Sequence, residues 1–204
     1  SHHGQHEDHH GVDEEEHRHD HGRLGRQICT AVDGVAQLEA QSLTMDEVKD
    51  LRLARRGWSV IQNSEDRFPP LYHLVLHGWL QVAPWDETGR GFSALCAVLT
   101  VAVVMALGTA VAGRAAGYWA GGIAALSPYM TWYALEARAY GLYLLLGAIA
   151  IWQFTRALQT SAKQNWAWFA AACIAGVYVH YYFGLLIACA GLLFLATRPR
   201  GREL

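Results

Sequence analysis

Ser127-Pro-Tyr-Met-Thr-Trp-Tyr-Ala-Leu-Glu-Ala-Arg-Ala-Tyr140 sets an acid, Glu136, and a base, Arg138, between two apolar segments long enough to cross a bilayer. Charges are costly at such a place unless they pair or serve a site. Tyr129, Trp132, Tyr133 and Tyr140 crowd round them, as aromatic side chains do where a helix end reaches the membrane–water boundary. The stretch reads as the rim of a membrane-embedded active site.

Outward from it, the chain beyond residue 92 is Ala, Leu, Val, Ile, Gly and aromatics with few charges. That is the composition of a membrane protein. Apolar runs at 92–113, 116–133, 140–154, 166–179 and 182–197 predict five transmembrane helices, the shorter ones completed by their aromatic ends. The fold expected is all-α: a polytopic membrane helical bundle over 92–198. Juxtamembrane helices in a large first outer loop (27–91) precede it, behind a disordered His-rich tail (1–26), and a basic cytoplasmic end (199–204) follows.

Charge orients the spans. Arg114, then Arg156 with Lys163, then Arg198, Arg200 and Arg202 lie in alternate loops, which the positive-inside rule makes cytoplasmic. The other face then carries the chain through residue 91, the Glu136/Arg138 turn and His180. The expected location is the plasma (inner) membrane, multi-pass, with the active site extracytoplasmic.

Within the outer loop, Thr44 followed three residues later by Glu47 is a capping box and opens a helix through about Arg56. Asp46 falls in its first turn, where the helix dipole keeps a carboxylate ionised. That suits a general base and is equally ordinary helix-start chemistry. Phe68-Pro69-Pro70 starts a second helix over 71–82, since proline in a first turn forfeits no hydrogen bond. His73 and His77, four apart on one face, suit either metal ligation or packing and interfacial hydrogen bonds.

Residues 1–26 hold eight of the 11 histidines, seven acids and almost nothing apolar, too little to offset the entropy of folding. The tail's imidazoles and carboxylates suit a divalent metal such as zinc, and a solvated tail accounts for them equally. The net charge of −2 arises largely there and makes no case for nucleic acid. Cys29, Cys96, Cys173 and Cys189 show no CxxC spacing, so they read as small hydrophobes rather than a disulfide framework or thiolate site.

Four segments together resemble a known family: Ser42-Leu-Thr-Met-Asp-Glu47, Phe68-Pro-Pro-Leu-Tyr72, Ser127-Pro through Tyr133-Ala-Leu-Glu-Ala-Arg-Ala-Tyr140, and Val179-His-Tyr-Tyr-Phe-Gly184. Over residues 40–198 the chain is similar to the N-terminal half of bacterial family-39-like membrane glycosyltransferases of the C-type superfamily. Protein O-mannosyltransferases and aminoarabinose transferases are their relatives. The resemblance implies an enzyme moving a sugar from a polyprenyl-phosphate donor to an acceptor on the outer face. It implies Asp46, with Glu47 beside it, as catalytic base. Arg138 is then suited to the departing phosphate, with Glu136, Tyr133, His180 and Arg67 as further donor or substrate contacts. Phe68 stands where the family has His before Pro-Pro, which moves any contact made there to Asp66, Arg67 or His73. The family's first span and its later helices have no counterpart in the sequence, so a fragment is expected. The partners implied are a polyprenyl-phosphate-linked sugar, membrane lipids and an acceptor of unspecified class. A divalent metal is admitted as cofactor.

Two other classes compete. A metal-handling membrane protein with a zinc-binding tail would need His or Asp inside its spans, and the five runs hold neither in their interiors. An inactive remnant with a structural role is the other.

Overall fold

The computed structural model describes residues 43–56, 69–82, 88–160 and 162–197, all within one compact unit, Leu43–Leu204. The His-rich tail, Cys29, Asp66, Arg67, Phe68 and the basic end at 199–204 lie outside the described residues. Eight helices and no strand are found among the described residues: α1 Met45–Ala54, α2 Leu71–Val82, α3 Thr88–Ala112, α4 Arg114–Ala125, α5 Pro128–Leu135, α6 Tyr140–Thr160, α7 Lys163–Val179 and α8 Phe183–Thr197. The protein is an all-α membrane helical bundle.

Thr44 caps α1 through the expected box: Glu47 N donates to Thr44 Oγ1 at 3.4 Å, and Thr44 N donates to Glu47 Oε2 at 2.8 Å. These bonds satisfy donors that a helix start otherwise leaves unpaired. Pro69 and Pro70 lead into α2, which runs over the expected twelve residues.

Two helices are individually long and apolar enough to span a bilayer, α3 with 25 residues and α6 with 21. Their apolar surface is largely uncovered by protein: Val98 of α3 is 67% exposed, and Ile151 of α6 is 44% exposed. Side chains like these remain outside a core at little cost only where lipid replaces water. α7 and α8, with 17 and 15 residues, rise roughly 25 Å and 22 Å at 1.5 Å per residue, short of a hydrocarbon layer of about 30 Å.

The expected continuous span over 116–133 is corrected by the structure. It is two helices, α4 and α5, parted at Leu126 and Ser127. Pro128 causes the break, because its ring drives the preceding residue out of the helical region, and Ser127 adopts φ −68°, ψ 125°. Both pieces still pack along α3, so the chain returns to the end it left.

The helices therefore alternate between two ends. At one, Gln159 Nε2 donates to the Ala110 carbonyl at 2.7 Å, joining the turns that carry Arg114 and Arg156 with Lys163. At the other, Leu51 and Ala54 of α1 and Tyr72, Leu76 and Leu80 of α2 pack with Phe92, Cys96, Leu142 and Val179. This cluster seats the two short helices on the mouth of the bundle. A smaller cluster of Ala150, Ala172, Cys173 and Phe183 joins α6, α7 and α8 below it. Cys96, Cys173 and Cys189 are free thiols.

Candidate active site

Two adjacent acids on α1 meet two arginines from different parts of the chain. Glu47 is 1% exposed and Arg90, at the start of α3, is 5% exposed. Arg90 grips the carboxylate at both oxygens, Nε to Oε1 and Nη2 to Oε2, each at 3.1 Å. The Ala137 amide donates to Oε1 at 2.9 Å, and the Thr44 amide and hydroxyl donate to Oε2 at 2.8 and 3.1 Å. Burial would raise this carboxyl's pKa, but the Arg90, Ala137 and Thr44 hydrogen bonds and the Arg90 charge outweigh it and lower it from 4.5 to about 2. One carboxylate thereby joins α1, α3 and the corner before α6.

Gly89 makes the approach close enough. A Cβ there would lie 2.8 Å from Leu51 Cδ2 and 3.0 Å from the Ala137 methyl, so a larger residue would wedge α1 and the corner apart.

Asp46, one residue earlier, points the other way. It is solvent-facing, and its Oδ2 accepts Arg138 Nη1 at 2.8 Å while Lys49 Nζ lies 3.6 Å from Oδ1. The Arg138 guanidinium stands 5.4 Å over the Tyr140 ring. Partial burial works against its charge, yet Tyr140, Asp46 and Asp50 more than compensate and raise its pKa. Arg138 is a permanent cation.

Glu136 does not share it. Its Oε1 instead accepts Trp132 Nε1 at 3.1 Å, one helical turn back on α5.

Behind Arg138 lies a cavity of about 50 Å³, bounded by Asp50, Tyr72, His73, Tyr140 and His180 together with the apolar Pro69, Ala139 and Val179. Asp50 follows Asp46 by one helical turn, and its Oδ1 lies 3.2 Å from His73 Nε2. His77, four residues further along α2, sets Nδ1 2.6 Å from the Ala54 carbonyl. The two histidines thus dock α2 on α1 at separate points. Among the described residues no cluster of three or more His, Cys, Asp or Glu side chains forms. This donor set does not fit a divalent metal held by His73 and His77 jointly.

His180 opens the turn into α8, accepts the Tyr182 amide on Nδ1 at 3.3 Å and contacts the rings of both Tyr181 and Tyr182, which lie 4.4 Å from each other. It also forms one wall of a second cavity of about 290 Å³, lined by Tyr133, Tyr140, Tyr143, Leu144 and Tyr182. The Tyr133 and Tyr140 rings stand 5.2 Å apart on its rim.

The site end thus gathers Arg138, Tyr133 and His180 around two adjoining cavities, with Asp46 paired to Arg138. It sends Glu136 outward and buries Glu47 beneath. Arg90, Asp50 and Tyr72 enter without having been singled out by sequence. Arg90 carried one signal, a lone cation between two glycines at the start of an apolar run; Asp50 carried another, its place one turn after Asp46.

The family described as dolichyl-phosphate-mannose-protein mannosyltransferase matches residues 68–204. The chain belongs to this family. The glycosyltransferase family therefore covers every element from α2 onward, and α1, which carries Asp46 and Glu47, reaches that part through the contacts above. No curated protein and no solved structure matches the chain significantly. With the family comes a membrane glycosyltransferase of the mannosyltransferase type.

Proposed function

We propose that this chain carries the transfer site of a membrane glycosyltransferase that takes a sugar from a polyprenyl-phosphate donor on the extracytoplasmic face of the plasma membrane. The observation that carries this reading is the 2.8 Å contact between Asp46 Oδ2 and Arg138 Nη1 at the mouth of a cavity. A carboxylate and a fixed cation from segments 92 residues apart meet where a hydroxyl and a phosphate would have to meet.

In the proposed step Asp46 takes the proton of the acceptor hydroxyl as its oxygen attacks the anomeric carbon. The bond to the donor phosphate breaks on the opposite face, with inversion. Arg138 balances the charge left on the departing polyprenyl phosphate, for which a planar guanidinium is suited. Tyr133 and His180 wall the cleft beside it, and Glu136, held on Trp132, leaves Arg138 free for this exchange of partners. Glu47 serves the geometry rather than the proton: with five hydrogen bonds on a buried carboxylate, it anchors α1 under the mouth. No step passes through a metal. The basic turns at Arg114, Arg156 and Lys163 lie at the far end of the bundle, which supports the outward orientation of the site by the positive-inside rule.

The test is transfer of labelled sugar from polyprenyl-phosphate sugar by membranes containing the chain with whatever accompanies it in the cell. Asp46→Asn and Arg138→Ala should each abolish most of the transfer with the protein still folded. Unchanged rates in both would remove the proposal. Separately, a cysteine at position 136 should react with an impermeant reagent added outside, and labelling only from the cytoplasm would reverse the orientation.

A further inference from the structure

Tyr72 is 1% exposed, and its hydroxyl is buried with no hydrogen-bond partner among the described residues. A buried, unpaired phenol is costly, and native structures rarely leave one without a ligand or water to satisfy it. Burial, with the nearby Asp50 and Cys96, also drives its pKa well above 10.0. It is therefore a neutral group able to donate one bond and accept others.

Its surroundings identify what it would meet. Tyr72 lines the 50 Å³ cavity with Asp50, His73, Arg138, Tyr140 and His180, room for more than one group the size of a water. Asp50 makes that pocket a poor host for a second anion, so the phosphate is left to meet Arg138 at the mouth. A neutral hydroxyl suits the pocket well: the carboxylate of Asp50 accepts, the phenol of Tyr72 donates or accepts, and His73 Nε2, 3.2 Å from Asp50 Oδ1, holds that carboxylate in place. The adjoining aromatic cleft shares Tyr140 and His180 and measures about 290 Å³, near the lower end of the range for small-molecule sites. Aromatic faces against a ring with polar groups at its edge is the surface a pyranose presents, C–H on one face and hydroxyls at the rim.

We propose that Tyr72, with the Asp50–His73 pair, is the subsite that recognises a ring hydroxyl of the transferred sugar while the ring lies in the Tyr133–Tyr140–Tyr143 cleft. This rests on the donor assignment above and extends it to named specificity-determining residues. The Tyr72 phenol is a positioning group; it takes no part in the proton transfer.

Two probes separate the sugar from its carrier: a short-chain polyprenyl-phosphate mannose and the same polyprenyl monophosphate without sugar, each titrated against the full chain in detergent. Tyr72→Phe removes only an unpartnered oxygen, so its melting temperature should match or exceed wild type. Its affinity for the mannosyl lipid should fall about three- to tenfold, the worth of one hydrogen bond, with the bare phosphate bound as before. Asp50→Asn should show the same selectivity. Arg138→Ala should weaken both lipids. If Tyr72→Phe leaves mannosyl-lipid affinity intact, or lowers affinity for both lipids alike, the subsite is wrong although the Arg138 assignment survives. If Arg138→Ala binds both lipids normally, or wild type binds neither, the donor reading itself fails and the subsite with it.

Discussion

Glu47–Arg90 and Asp46–Arg138 are two carboxylate–guanidinium pairs whose acids are consecutive in sequence, and they sit in opposite settings. The side chains of the first pair are 1% and 6% exposed; those of the second are 54% and 28% exposed. The first pair is bidentate and closed by two further residues. The second is a single contact with Lys49 to one side and a cavity behind. One helical step of about 100° on α1 separates the two environments. The lesson is that residue type does not assign a role at such a corner. Desolvation does: a buried ion pair has to remain intact, whereas a half-exposed one is free to exchange partners with a substrate.

The strongest way to break the comparison is to remove one side of the buried pair. Arg90→Ala leaves Glu47 desolvated without its cation, which costs about 3–5 kcal/mol in comparable cases. The expected result is a large drop in melting temperature in detergent, with early proteolysis within α1 as it leaves the bundle mouth. A melting curve within a degree or two of wild type would show that Glu47 is not an anchor.

Acid sharpens the same contrast with a smaller effect. The folded carboxyl of Glu47 has its pKa lowered to about 2 from an ordinary 4.5, so the unfolded state binds the proton first. The stability contributed by the ionised Glu47 is present in full above pH 4.5 and is lost progressively as the pH falls toward 2. Melting temperatures between pH 6 and 2.5 should fall more steeply for wild type than for Glu47→Gln. Equal slopes would place the titration elsewhere.

What sequence made legible was local. The capping box over Thr44 and Glu47, the proline start of α2 and the apolar runs of α3 and α6 depend on residues within a turn or on composition over one span, and each stands in the structure where expected. The break at Ser127-Pro128 was also written locally, in a serine before a proline, but the apolar content on both sides masked it. Partners were not legible. Nothing near Glu47 announces Arg90, 43 residues away, because a buried pair is made by the packing of α1 on α3. The pairing of Arg138 with Asp46 instead of nearby Glu136 has the same origin: the fold brings Asp46 of α1 to Arg138, while Glu136 is taken up by Trp132 four residues before it. Tyr72 stood in the sequence only as the last residue of Phe68-Pro-Pro-Leu-Tyr72, and only its depth exposes the unpaired hydroxyl.

The finest discrimination between the pairs comes from Asp46→Asn, in which rate and stability should part company. An exposed ion pair contributes about 0–1 kcal/mol, and asparagine retains an oxygen able to accept from Arg138. The fold should therefore lose less than about 1 kcal/mol, read as a shift of the thermal midpoint within a few degrees. Loss of a general base costs on the order of 100-fold or more in transfer. A Glu47→Gln protein should show the converse ranking, destabilised first and slower only as the population with α1 in place declines. If Asp46→Asn instead lowered stability and rate in proportion, as Glu47→Gln is expected to, both carboxylates would be serving the fold, and the proton acceptor would have to be sought one turn further along α1, at Asp50.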